Sequence, residues 1–145
     1  MVELMNSNII VTKNKNQVYG IRFFATIHTI VWVIAFITYT EIFKHIIFLF
    51  FPTFVLMLCL LLHYETWQIS FSSKSISKKT FLRKTKTYLY SQLKETAMMY
   101  SLSGCGYCIV IKFDDGKQFR FRLNDVNGIK AKNKLLSHCS IRMVK

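Results

Sequence analysis

Residues 23–64 are an almost unbroken apolar run, interrupted near its middle by Glu41, Lys44 and His45. A helix crossing the ~30 Å hydrocarbon layer needs ~20 mainly apolar residues, so the run is long enough for two crossings and too long for one. The first is expected from residue 23 to 39–43 and the second from 46 to 63. So short a link makes the two helices antiparallel and puts Glu41, Lys44 and His45 at the far interface. From Glu65 the pattern changes to alternation, the mark of strands with one buried face. Trp67, Ile69 and Phe71 alternate with Gln68, Ser70 and Ser72. Further strands are predicted at 75–82, 84–91, 93–102, 107–113 and 117–123. The Asp115-Gly116 pair supplies the positive φ of a tight hairpin between the last two. Tyr107, Ile109, Ile111 and Phe113 share one face of that hairpin's first strand, and Phe119, Phe121 and Leu123 one face of its second.

After Asn124 the spacing turns helical as far as Ser137, with Asp125 or Asn127 as cap and Ile129, Leu135 and Leu136 on the inner side. Residues 140–144 suit one more strand. Residues 8–12, with Ile9, Ile10 and Val11, suit either a short strand or a membrane-surface segment. Residues 14–17 read as a loop, and the first twenty residues stay unassigned. The predicted fold is therefore a membrane α-helical hairpin followed by a small, mainly antiparallel β-barrel or bent-sheet domain with a C-terminal helix. The divisions are residues 1–22, 23–64 and 65–145. Closure of such a sheet removes the exposed edges that a lone sheet presents.

Composition supports two regimes in one chain: 52% hydrophobic residues with a single proline is high for a soluble domain, and 19% charge is too much for a purely membranous one. A secretory leader is the competing reading of the apolar run, but the run is far too long and no small-residue cleavage site follows it. Lys13, Lys15 and Arg22 precede the hairpin, and Lys74, Lys78, Lys79, Arg83, Lys84 and Lys86 follow it. By the positive-inside rule both termini are cytoplasmic in a multi-pass protein. Tyr64 and Trp67 are expected at the headgroup layer. Within the hairpin, Thr26 and Thr29 suit hydrogen bonds back to their own helix, Pro52 suits a bend, and His28 suits either an interfacial histidine or part of a proton path.

The order of strands around Tyr88-Leu89-Tyr90-Ser91-Gln92-Leu93-Lys94-Glu95, the Asp-Gly hairpin and the closing helix resembles the bacterial pleckstrin-homology-like domains attached to membrane hairpins. The whole chain, in element order and size, is similar to the two-transmembrane, β-barrel effectors of cyclic-oligonucleotide antiphage defence systems of the CBASS or Panoptes type. That resemblance implies a homo-oligomer in the bacterial inner membrane, a cyclic dinucleotide as ligand, and ligand control of membrane disruption in either sense.

Catalytic chemistry is not expected. The sequence holds no Ser/His/Asp or Cys/His constellation and no phosphate-cradling glycine loop, and Asp114 and Asp115 are explained by the turn. Cys105-Gly106-Tyr107-Cys108 has the spacing of a metal knuckle or redox pair, with His138 and Cys139 as conceivable partners. The other reading is two half-buried thiols beside a turn glycine, and no metal or cofactor is assigned. Charge is more informative: residues 65–145 carry sixteen Lys or Arg against five Asp or Glu. Basic residues beside a membrane helix bind anionic headgroups, which is one reading. The other is a phosphate site. Arg120 and Arg122 alternate with Phe119 and Phe121 and so project from one face, joined by Arg83, Lys84 and Lys86, with Tyr88 and Tyr90 to stack a base. Long nucleic acid is disfavoured, because the neighbouring anionic bilayer competes for the same surface. Three functions fit: a ligand-controlled membrane effector, a bacteriocin-immunity or envelope-stress protein, and a passive membrane-anchored scaffold.

Overall fold

The computed structural model describes residues 8–38, 40–100 and 106–144, with the side chains of all of these except 40–50. Two compact units emerge, one of residues 15–66 and one of residues 1–14 with 67–145.

The helical unit is a pair, α1 (Lys15–Thr38) and α2 (Thr40–Thr66). Helix α1 starts inside the expected loop, eight residues before the apolar run. Hydropathy marks where a helix turns apolar, and the helix itself includes the polar turn Lys15-Asn16-Gln17. None of its residues is buried, and Ile37 is 71% exposed. Among the described residues α1 is the one helix long and apolar enough to cross a membrane, and in α2 the apolar helical stretch is Phe51–Thr66. The expected interfacial residues Glu41, Lys44 and His45 lie outside the described side chains. The two helices are joined at their open end by Arg22, whose Nη2 lies 2.7 Å from Glu65 Oε1. Thr26 and Thr29 donate to Arg22 O and Ala25 O, so their hydroxyls are satisfied within the helix as expected. Pro52 sits inside α2, and Trp32 Nε1 donates to His28 Nε2 at 3.1 Å.

The β unit has two sheets. The first is the meander β1 (Ile9–Thr12), β2 (Gln68–Phe71), β3 (Ser75–Thr80) and β4 (Arg83–Leu89), in that order. The unassigned segment near the N-terminus is thus a strand, and it pairs antiparallel with β2 through Ile9↔Phe71 to Thr12↔Gln68. The whole helical unit is an insertion between two neighbouring strands. The second sheet has the order β7-β6-β5-β8, from β5 (Leu93–Tyr100), β6 (Tyr107–Phe113), β7 (Gln118–Arg122) and β8 (Arg142–Val144). Strand β8 runs parallel to β5. A 3₁₀ turn at Tyr90–Gln92 joins the sheets, and α3 (Gly128–Leu136) follows β7.

All six strands expected after Glu65 are present with shifts of a few residues, and the tight turn between β6 and β7 has Gly116 at φ 76°. The described strands form two separate sheets and do not close into a barrel. Beyond each sheet's own ladder, an isolated bridge joins Thr12 of β1 to Val126 in the segment between β7 and α3, where Val126 N donates to Thr12 O at 3.0 Å. Asn127 reinforces this corner by donating from Nδ2 to Ile10 O. Its φ of 61° is a left-handed conformation that asparagine tolerates, so it precedes α3 without capping it through its side chain.

Between the sheets lies one core of Ile9, Val11, Ile69, Phe71, Ile76, Ile109, Ile111, Phe113, Phe119, Phe121 and their neighbours. Trp67 belongs to it at 4% exposure, which corrects its expected place in the headgroup layer: it continues the inward alternation of Ile69 and Phe71. Helix α3 also differs from expectation. Ile129 is 62% exposed and Leu136 50%, whereas Ala131, Lys134 and Leu135 are buried. The inward stripe is set by the helix's docking on β1 and β2, where Lys134 Nζ donates to Phe71 O at 3.3 Å.

Candidate anion-binding site

The register of the first sheet decides which of its many cations face the core. Val11 and Ile69 are partners, Ile69 and Lys78 are partners, and Lys78 and Lys86 are partners. Partners across an antiparallel ladder project to the same face. Val11 and Ile69 are fully buried, so Lys78 and Lys86 project to the same side, at the mouth between the sheets. The next row inward is Ile9, Phe71, Ile76 and Tyr88, by the same pairing. A register shift beyond Lys78 makes Arg83 the partner of Thr80 and moves it towards this row of cations.

Lys78 reaches across the mouth to the second sheet, its Nζ 5.5 Å from the centroid of the Phe119 ring. Burial pushes its pKa down first, and Lys13, Arg83, Lys86 and Arg120 push it further in the same direction. Lys13, at the end of β1, stands over Trp67 with Nζ 3.9 Å from the ring centroid. Burial lowers its pKa too, Asp125 opposes the shift, and Arg122 adds to it. Asp125 is 3% exposed and pairs with Lys13 through Oδ2 at 3.9 Å, while the same oxygen accepts the Arg122 backbone N–H at 2.8 Å. A partly desolvated lysine surrounded by cations is an unfavourable arrangement that a bound anion relieves.

Of the residues expected at the site, the structure places Arg83 and Lys86 beside Lys78 and adds Lys13, whereas Arg120 projects from the outward face of β7, opposite Phe119 and Phe121, and adds the weakest of the repulsions on Lys78. Arg120 remains exposed on edge strand β7, donating from Nη2 to Gln118 Oε1 at 2.9 Å. Arg122 acts on Lys13 from the Asp125 side. Lys84 is exposed on β4.

Both tyrosines have their rings engaged. Tyr88 is stacked on Phe113 with centroids 4.0 Å apart, and its hydroxyl donates to Asp115 Oδ2 at 2.8 Å. Tyr90 is stacked on His138 at 3.8 Å and donates to Ser72 O, and burial followed by Cys139 pushes its pKa up to about 12. The ring faces expected to hold a base are thus in contact with Phe113 and His138 on one side. Two signals were present in the sequence for the added lysines: Lys78 follows Ile76 by two residues, and Lys13 follows Val11 by two, the period of a strand face.

Cys105 lies outside the described residues. Cys108 has its thiol pKa raised by burial, against the pull of Arg120 and Arg122, which is the wrong direction for an activated redox thiol. Cys139 Sγ lies 3.3 Å from Thr96 Oγ1 and 3.4 Å from Leu135 O. No grouping of three or more His, Cys, Asp or Glu suited to a metal ion occurs among the described residues. No known protein-family model matches the chain, and no curated protein shows significant similarity to it.

Proposed function

We propose that this protein is a two-pass inner-membrane effector whose β unit binds a small phosphate-bearing signal on its cytoplasmic side and thereby controls membrane integrity. The observation that carries the proposal is Lys78, a half-buried cation whose pKa is depressed by burial and by Lys13, Arg83, Lys86 and Arg120. Phosphate oxygens supply the missing negative charge and accept from several cations at once. The engaged rings of Tyr88 and Tyr90 favour recognition through phosphates over recognition by stacking.

Three features support the rest of the reading. Helix α1 buries none of its side chains and leaves Phe23, Phe24, Ile34 and Ile37 more than half exposed, which in water forfeits ~25 cal/mol for each Å² of apolar surface left unburied. The insertion of the helical pair between paired strands β1 and β2 means that a change in the β1–β2 ladder acts on the chain entering α1 and the chain leaving α2 together. The two meanders followed by α3 support the resemblance to pleckstrin-homology-like domains, and the resemblance to antiphage effectors supplies cyclic dinucleotides as the ligand class. For the ligand to act as a switch it must bind one assembly state more tightly than the other.

The test is inducible expression of the full chain, with and without cyclic dinucleotides, while membrane potential is followed. Depolarisation that depends on ligand in either sense is expected, and that dependence is lost in Lys78→Met. A membrane potential that stays constant in both conditions overturns the effector reading.

A further inference from the structure

The turn joining β3 to β4 carries an arrangement that the anion site does not use. At its tip Leu82 is 86% exposed, the highest value among the exposed large hydrophobic side chains described. Its φ is 61°, in the left-handed region. Asn127 is the other described non-glycine residue with positive φ, and asparagine tolerates that conformation where leucine does not. An apolar side chain fully in water, on a strained backbone where glycine would be relaxed, is disfavoured on both counts for folding. Strain of this kind marks positions with a task other than stability.

The surroundings indicate the task. Phe81 precedes Leu82 and is half-buried, and Lys79 stands three residues before Leu82 and Lys84 two residues after it. Lys79 and Lys84 are exposed, so they remain free of the inward row made by Lys78 and Lys86. A protruding apolar tip flanked by exposed lysines matches an anionic lipid surface in both components: the tip enters the acyl boundary while Lys79 and Lys84 meet the headgroups.

We propose that the β3–β4 turn is a membrane-docking tip, with Leu82 inserting into the anionic leaflet of the membrane that holds the helices. The occupant is a lipid surface because the charge pattern complements one and because the chain has a helix of spanning length. The inference rests on membrane residence and does not depend on the anion site being a signal receptor.

The experiment uses the full chain in lipid nanodiscs, with a benzophenone amino acid placed at position 82 and, as a control, at position 114 in the exposed β6–β7 turn. Mass spectrometry after illumination reads lipid adducts. In nanodiscs rich in phosphatidylglycerol, at least fivefold more lipid adduct is expected at position 82 than at 114, falling severalfold in phosphatidylcholine alone. Leu82→Gly is the companion variant. It should melt higher than the wild type in detergent, because the strain is relieved, yet show greater protease accessibility at the turn in anionic nanodiscs. Equal lipid adducts at 82 and 114, or adducts at 82 to a second copy of the chain in place of lipid, overturn the proposal. Loss of ligand-dependent depolarisation with lipid adducts intact would instead count against the effector function alone.

Discussion

Lys78 and Lys86 face each other as Cα partners on the core-directed side of a two-strand ladder, one reaching over Phe119 and the other exposed at the edge. Like charges directly opposite in a sheet are destabilising, by something on the order of 0.2–1 kcal/mol per pair. Lys78→Met keeps the length of the side chain and its contact with Phe119 while removing the repulsion. It should therefore stabilise the β unit by roughly that amount, read as a higher melting temperature in detergent, while weakening binding of a phosphate-bearing ligand at least tenfold. A destabilised Lys78→Met would show that the lysine has favourable partners and is no anion seat.

Tyr88 bridges the sheets. Its ring packs on Phe113 and Phe119 while its hydroxyl holds Asp115 in the β6–β7 turn. Tyr88→Phe keeps the packing and loses that hydrogen bond, for a cost of about 0.5–1.5 kcal/mol. Lys117, above all, and Tyr88 hold the Asp115 carboxyl at a pKa of about 2, below its ordinary 3.8. Because the folded value is the lower one, the associated stability is present above the unfolded pKa and disappears as pH falls through about 2. Carboxyl chemical shifts followed by NMR should show Asp115 titrating at higher pH in Tyr88→Phe. An unshifted titration removes Tyr88 from the network.

Gly128 opens α3 with no room for a side chain. A Cβ there would come within 2.5 Å of Arg122 O and 2.8 Å of Leu123 O, both backbone atoms that have no rotamer to adjust. Gly128→Ala ordinarily favours a helix, by up to ~1 kcal/mol. Here the clash should dominate and destabilise the unit by about 1–3 kcal/mol, measurable as a lower melting temperature. An alanine variant as stable as the wild type would mean that α3 shifts freely against β7.

Lys134 is 2% exposed, and burial lowers its pKa below the usual 10.5. Between the folded and unfolded values the unfolded chain binds more protons, so stability rises with pH across that window. Relative to Lys134→Met, the wild type should gain stability as pH approaches 10.5. Parallel thermal melts of the two proteins from pH 7 to 10.5 measure the difference, and curves that stay parallel would mean the amine is as well solvated folded as unfolded.

Much of the architecture was legible because it depends on local periodicity. The six strands after Glu65 followed from alternation such as Trp67-Ile69-Phe71, the β6–β7 turn from Asp115-Gly116, and α1 from apolar length. Strand β1 was ambiguous: four residues of IIVT hold too little pattern, and their partner β2 lies on the far side of the helical pair. Trp67 was misplaced for a related reason, since an aromatic residue after an apolar helix looks the same whether it meets headgroups or a β core.

The sequence by itself determined the apolar helices, the alternating strands and the surplus of positive charge, all of which arise from neighbouring residues in the chain. Only the tertiary structure decided which cations meet. The β1–β2–β3–β4 register brings Lys13, Lys78, Arg83 and Lys86 into one electrostatic neighbourhood, which Arg120 on β7 adjoins, and the packing of Phe113 and His138 takes up a ring face of each tyrosine expected to hold a base. Coulombic interaction depends on distance through space, and that distance is set by strand register and sheet packing, to which charge spacing along the chain is blind.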